Sequence, residues 1–169
     1  DILKPAVDRS FNCITVDGDT STNDTVLLFA TGAGPGHPPV RAAGDPKLRD
    51  FRRKLEEVLA DLARQIIRDG EGATKFVSIT VSGAASARAA RRIAFAIANS
   101  PLVKTAIAGQ DANWGRIVMA VGKAGEKADR DKLAIAIGGV PITAKGGLLP
   151  GYDEAPVAAH MKGAEIDIQ

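Results

Sequence analysis

The stretch Asp69-Gly70-Glu71-Gly72-Ala73-Thr74-Lys75 sets a carboxylate between two glycines, where a long helical pattern gives way to a β-prone run from Phe76 to Ser82. Glycine lets the backbone turn tightly and leaves room beside it, so Glu71 can be brought against a ligand. A carboxylate so placed can hold an ammonium group or orient an amine nucleophile. The competing account is local: Asp-Gly stops the helix and Glu71 is a solvated side chain. Two other stretches also concentrate polar groups. One is Val16-Asp17-Gly18-Asp19-Thr20-Ser21-Thr22-Asn23-Asp24-Thr25-Val26; the other is Gly109-Gln110-Asp111-Ala112-Asn113-Trp114-Gly115-Arg116, which holds the one tryptophan.

In the first of these, Asp17, Asp19, Ser21 and Asn23 alternate as calcium ligands could. The glycine and closing glutamate of an EF-hand loop are missing, which argues against calcium. A hydrogen-bonded loop is the better account, with the side-chain oxygens of Thr22 and Asp24 accepting from backbone N–H groups. The second stretch admits two readings. In one it is a structural turn, with Trp114 packed over a sheet edge and Arg116 paired with an acid. In the other, Asn113 or Arg116 meets a substrate carboxylate, which an arginine fork binds well.

The elements that must position these groups follow from periodicity. Residues Ile2 to Phe11 predict a short helix, and Asn12 to Val16 can enter a sheet. Asp17 to Asp24 is too polar for a strand interior and reads as a loop. Thr25 to Thr31 predicts a buried strand. Gly32 to Gly44, rich in glycine and proline and containing His37, predicts an exposed loop. Asp45 then caps a helix with Pro46 in its first position. Leu48, Phe51, Leu55, Val58, Leu59, Leu62 and Ile66 make it the strongest helical pattern in the chain. Val77, Ile79 and Val81 alternate as a half-buried strand. Ser86 starts a second helix that runs to about Asn99. Leu102 to Ala108 reads as a short strand or an extension into a loop, and Ile117 to Gly122 as a strand. Asp129 to Lys132 suggests a helical turn. Leu133–Ile137 and Val140–Ala144 form a hairpin around Gly138-Gly139. Asp153 caps a last short helix to Lys162, and a strand closes the chain.

Composition excludes several classes. The chain has 169 residues, 45% hydrophobic and 25% charged, enough for one domain with a core built from aliphatic side chains. A net charge of +2 does not argue for nucleic acid, and the clusters at Arg49–Lys54 and Arg88–Arg92 read as solvated helix faces. A single Cys13 excludes an internal disulfide, and the two histidines, His37 and His160, lack zinc-ligand spacing. No apolar run reaches the roughly 20 residues of a membrane span. We therefore expect a cytoplasmic enzyme with no metal, no membrane and no nucleic-acid partner. The opening Asp1-Ile2-Leu3-Lys4-Pro5 already reads as helix, and the closing Glu165–Gln169 alternates like a strand that should continue. A piece of a longer protein is the expectation.

Taken in order, the Val16–Val26, Gly70–Lys75 and Gly109–Arg116 stretches resemble the β chain of the ornithine acetyltransferases, the bifunctional glutamate N-acetyltransferases of arginine biosynthesis. Pro150-Gly151-Tyr152-Asp153-Glu154 and His160-Met161-Lys162-Gly163 fit the same family. The resemblance runs from about Ser10 to the last residue. It implies an α/β (α+β) layered sandwich, the two-chain self-cleaving fold also found in the DmpA-type aminopeptidases. Residues 1–169 would then be a single domain, most of the β chain. The family's precursor cuts itself in front of a threonine, whose hydroxyl accepts the acetyl group. The freed α-amino group, with a pKa of about 8, serves as base. Oxyanion donors come from the α chain.

On this resemblance the chain itself holds no catalytic residue. The nucleophilic threonine is expected upstream of Asp1. Thr15, Thr20, Thr22 and Thr25 lack a free amine and read as strand or turn residues. Glu71 is the substrate-binding residue carried over, suited to the amino end of ornithine. Asn23 and Asp24 are expected to shape the site near the threonine, and Asn113 and Arg116, in their ligand reading, to shape it near a substrate carboxylate. The family's other β-chain binding residues, an Asn and a Thr or Ser, are expected beyond Gln169. The implied reaction moves acetyl from N2-acetyl-L-ornithine to L-glutamate, and some members also take it from acetyl-CoA. It needs no cofactor, and it implies an α-chain partner in an α2β2 assembly. Two alternatives stand beside it: an amidohydrolase or aminopeptidase on the same fold, and an inactive fragment that only binds a partner.

Overall fold

A computed structural model describes residues 2–36 and 38–169. Asp1 and His37 lie outside the described residues. The chain divides into two compact units, one up to Asp69 and one from Gly70 to Gln169.

In the first unit, helix α1 (Leu3–Asp8) leads into a 3-10 turn at Phe11–Cys13. A second 3-10 turn, Pro46–Leu48, opens the 20-residue helix α2 (Arg49–Arg68). Asp45 accepts a hydrogen bond from the Lys47 N–H at 3.0 Å and Pro46 takes the first turn, as the sequence predicts. Ala6, Leu59 and Ala63 are the buried apolar residues where α1 and α2 pack, and Arg9 pairs with Glu56 beside them. On the solvent side of α2, Arg53 bonds Asp50 and Glu57, which holds its guanidinium above the ordinary range. Lys54 and Arg53 hold the Glu57 carboxyl low.

Two expectations fail here. Asn12 to Val16 enters no sheet; its first residues form the 3-10 turn. Thr25 to Thr31 is not a buried strand but irregular backbone, with Leu27 and Phe29 exposed. A strand is made by its ladder partner as much as by its own side chains, and this run pairs with none among the described residues. The apolar stripe of α2 is real but only partly covered. Phe51, Val58, Leu62 and Ile66 are each more than 40% exposed.

The second unit is a five-stranded sheet with helices packed on one face. Its strands are β1 (Phe76–Ile79), β2 (Ile135–Ile137), β3 (Val140–Ala144), β4 (Gly147–Leu148) and β5 (Glu165–Ile168). The spatial order is β1-β5-β2-β3-β4. β1 and β5 run parallel, Phe76 opposite Glu165, and the other neighbours are antiparallel. The helices are α3 (Ala87–Ala98), α4 (Pro101–Ala108), α5 (Trp114–Lys123) and α6 (Ala155–Met161). Period-two alternation places Ile166 and Ile168 of β5 in the core, while Glu165 and Asp167 stay exposed. Ile135, Ile137 and Ile142 join them under Ile93, Ile97, Ile107, Ile117, Val157 and Met161 from the helices. This α/β layering is the predicted class.

Two runs, one read as a short strand or a loop extension and the other as a strand, are helices. Leu102 to Ala108 belongs to α4 and Ile117 to Gly122 to α5. Both runs are rich in β-branched and aliphatic residues, which suggested strands. The spacing decides otherwise: Val103, Ala106 and Ile107, like Ile117, Ala120 and Val121, recur at i, i+3 and i+4 and are the buried residues. Each helix also has its own start. Ser100 accepts from the Val103 N–H with Pro101 in the first turn, and Asn113 accepts from the Arg116 N–H. Pro101 therefore opens α4, and α3 has already ended at Ala98. The β2–β3 hairpin turns at Gly138-Gly139, both with positive φ (60° and 75°), as a two-residue turn matched to strand twist requires.

Candidate functional site

Glu71 sits at the tip of a tight turn. The Ala73 N–H donates to the Gly70 carbonyl at 3.0 Å, closing a four-residue turn around Glu71 and Gly72. Gly72 has φ +70°, which a side chain rarely adopts. A Cβ there would meet nothing within 4 Å, so glycine is needed for the backbone angle and not for space. The Glu71 side chain is exposed, and its carboxylate has no hydrogen-bond or ion-pair partner among the described residues.

The end of the same motif is firmly held. Lys75 Nζ donates to the carbonyls of Met161 and Gly163 at 2.8 and 2.6 Å. These lie at the C-terminal end of α6 and just beyond it, where a cation complements the helix dipole and satisfies orphan carbonyls. The Phe76 N–H bonds the Ala164 carbonyl at 2.7 Å, continuing the tie into the β1–β5 ladder. Glu71 is thus an unpaired carboxylate on a turn whose exit is anchored to the sheet. Sequence reasoning missed Lys75, because its partners are backbone atoms far along the chain.

Asn113 and Arg116 come together at the start of α5. The Asn113 Oδ1 accepts from the Arg116 N–H at 3.3 Å, and its Nδ2 donates to Asp111 at 3.2 Å. The Arg116 guanidinium donates to the Leu102 carbonyl at 2.8 Å and to Thr105 Oγ1 at 2.9 Å. It clamps α4 to α5 through a carbonyl and a hydroxyl, not through the acid that the structural reading expects. Trp114 packs against the core. Gln110, at φ +58°, turns the chain out of α4, with the Gln110 and Asp111 N–H groups returned to the Ile107 and Ala106 carbonyls.

Asn23 and Asp24 lie in the first unit. The organiser of their loop is Ser21, whose Oγ accepts from the N–H groups of Asn23 and Asp24 at 3.4 and 3.3 Å. Thr22 and Asp24, expected in that part, do not fill it. Asp17 accepts from the Asp19 N–H at 2.8 Å. No cluster of three metal-binding side chains occurs among the described residues. No described helix is long and apolar enough to cross a membrane.

In the Pro150–Glu154 motif, partial burial lifts the Tyr152 phenol above its ordinary pKa, with Glu154 and Asp153 adding to the effect. His160 also has a use that sequence reasoning did not supply. Its Nε2 accepts from the Asp167 N–H at 3.1 Å, beyond the end of the β2–β5 pairing. A Cβ on Gly138 would fall 2.5 Å from the His160 ring, so this glycine admits the imidazole.

The sequence profile of the ArgJ family matches residues 1–169. The arginine biosynthesis bifunctional protein ArgJ of Zymomonas mobilis is 58% identical over 167 residues, covering 99% of this chain and 41% of that protein. Its namesake in Bradyrhizobium diazoefficiens is 58% identical over 170 residues, with the same coverage. The chain therefore spans about two fifths of the length of these relatives. A crystal structure of the arginine biosynthesis bifunctional protein ArgJ from Bacillus halodurans superimposes with a TM-score of 0.89 at 40% identity, over 99% of this chain and 78% of that one.

Proposed function

This chain belongs to the ArgJ family, and from that premise we propose that it forms the substrate-selecting part of an acetyltransferase of arginine biosynthesis. The enzyme moves acetyl from N2-acetyl-L-ornithine to L-glutamate through an acetyl-threonine intermediate, in the cytoplasm, and also acetylates glutamate from acetyl-CoA. The observation that carries the reading is Glu71, an unpartnered carboxylate between two glycines on an anchored turn. Such a group can bind the ammonium of ornithine, because no internal cation competes for it.

The chemistry needs a hydroxyl with its own base. Thr15, Thr20, Thr22 and Thr25 have amide nitrogens, so none carries a free amine. In this reading the nucleophile is an N-terminal threonine outside residues 1–169. Its α-amino group takes the hydroxyl proton as oxygen attacks the acetyl carbonyl, and returns a proton to the departing ornithine amine. Glutamate then attacks the acetyl ester and frees the threonine. The oxyanion donors belong to an α chain cut from the same precursor. The exposed part of the α2 stripe, Phe51, Val58, Leu62 and Ile66, with exposed Leu27 and Phe29, is the kind of apolar surface such a partner would cover, in an α2β2 assembly.

Intact-mass measurement of the complete protein tests the route. Incubation with N-acetylornithine alone should add one acetyl group to the chain that begins with threonine, and glutamate should discharge it as N-acetylglutamate. Discharge to water at the same rate with or without glutamate would instead indicate an amidohydrolase. No acetylated chain at all would overturn the reading.

A further inference from the structure

Helix α3 turns three arginines the same way. Arg88, Arg91 and Arg92 stand at i, i+3 and i+4, with Phe95 and Asn99 continuing the face. Like charges at these spacings repel, and Glu126 offsets part of that repulsion through its pair with Arg92. The opposite face of α3, carrying Ala89, Ile93 and Ile97, is buried, so rotation cannot separate the charges. Packing of α5 against α3 adds a fourth cation, Lys123.

Together these residues line an open cleft of about 570 Å³, with Phe95, Ala96, Asn99, Ser100 and Ala124 completing its wall. No carboxylate is among its lining residues in the described part of the chain. Glu126 pairs with Arg92 at 3.0 Å, while Arg88 and Lys123 have no partner among the described residues. The Arg91 guanidinium lies 5.4 Å from the Phe95 ring centre, a cation-π contact that places the charge over an apolar surface. The sequence suggests only a solvated basic face. The structure adds concavity, an aromatic lining residue and a fourth cation from a separate helix.

We infer that this cleft binds the di- or triphosphate group of a small ligand. The cations come from two helices, Arg88, Arg91 and Arg92 from α3 and Lys123 from α5, so an extended anion with several charged oxygens can meet more of them than a single phosphate can. The volume falls in the range of small-molecule sites. The cations supply phosphate binding through charge-assisted hydrogen bonds, while Phe95, Ala96 and Ala124 add apolar surface beside them. Acetyl-CoA, the second acetyl donor in the proposed function, also carries a diphosphate; the test reads binding, not turnover, so its failure is distinguishable from a failure of acetyl transfer.

The experiment is calorimetric titration of the complete protein, with chelator present, against inorganic triphosphate and, separately, ATP. Saturable binding should weaken as salt rises from about 50 to 200 mM. The double variant Arg88→Ala/Lys123→Ala should weaken it by about tenfold or more, because it removes the two lining cations that have no internal partner among the described residues. Arg130→Ala/Lys132→Ala removes the same charge from an exposed turn where both residues already pair with aspartates, and should bind like wild type. ATP binding more tightly than triphosphate identifies a nucleotide as the ligand, and the reverse order identifies a free phosphate chain. No saturable heat with either probe, or unchanged binding in Arg88→Ala/Lys123→Ala, would overturn the inference.

Discussion

Lys75 is hydrogen-bonded to Gly163: its ammonium donates to the Gly163 carbonyl at 2.6 Å, and to Met161 beside it. This contact ties the exit of the Glu71 turn to the end of α6. Replacing Lys75 with Met removes both bonds and leaves two carbonyls at a helix end without their cation. The complete protein should lose about 1.5–3 kcal/mol of stability, the usual value of hydrogen bonds to a charged group. Urea denaturation of wild type and Lys75→Met measures it, and equal midpoints would show that the contact contributes nothing.

Gly146 and Gly147 are neighbours with opposite tolerance. A Cβ on Gly146 would lie 2.4 Å from the Arg130 carbonyl oxygen, and its φ is +74°; on Gly147 it would meet nothing within 4 Å. Gly146→Ala should destabilise by more than about 1 kcal/mol, through clash and backbone strain together. Gly147→Ala should stay within about 0.5 kcal/mol of wild type. Thermal melts of the pair decide it, and equal losses would contradict the description of this turn.

Tyr152 gives a pH prediction. Its folded-state pKa is raised, so the native state keeps the proton that the unfolded chain releases near pH 10. The native state then binds more protons, and stability falls as pH rises from the unfolded value through the raised folded one. Wild type should lose stability relative to Tyr152→Phe above about pH 10 and track it below. Parallel curves through that window would remove the effect.

Arg116 separates two readings of one residue. Its bonds to Leu102 and Thr105 make it a clamp between α4 and α5. Arg116→Met should lower the melting temperature of the complete enzyme and leave its KM for glutamate within about twofold. A large rise in that KM with unchanged stability would transfer Arg116 to the substrate carboxylate.

The legible parts of this fold are those whose cause is local. The stripe from Leu48 to Ile66, the Asp45-Pro46 start, the Ser86 cap and the Gly138-Gly139 turn all read directly from neighbouring residues. Helices α4 and α5 were equally local, in Ser100-Pro101, Asn113 and the i, i+3, i+4 spacing, but their valines and isoleucines masked that period. Thr25 to Thr31 could not be settled locally, since a strand depends on a partner elsewhere. The same division runs through the site. Glu71 between glycines is visible as a turn that presents a carboxylate. The anchor at Lys75 is not, because its acceptors lie 86 and 88 positions away and are backbone atoms that any residue could supply. The basic face of α3 is visible, but its cleft exists only once α5 packs beside it.

The claim at the centre of this account is that Glu71 holds the cationic end of the acetyl donor. Steady-state kinetics of Glu71→Gln in the complete protein test it most directly. Glutamine keeps the shape and one acceptor but loses the charge. The account predicts that kcat/KM for N-acetylornithine falls by about ten- to a hundredfold, the scale of one charge-assisted hydrogen bond. Self-cleavage of the precursor should proceed as in wild type. Wild-type kcat/KM for N-acetylornithine in a cleaved, folded Glu71→Gln enzyme would contradict the account.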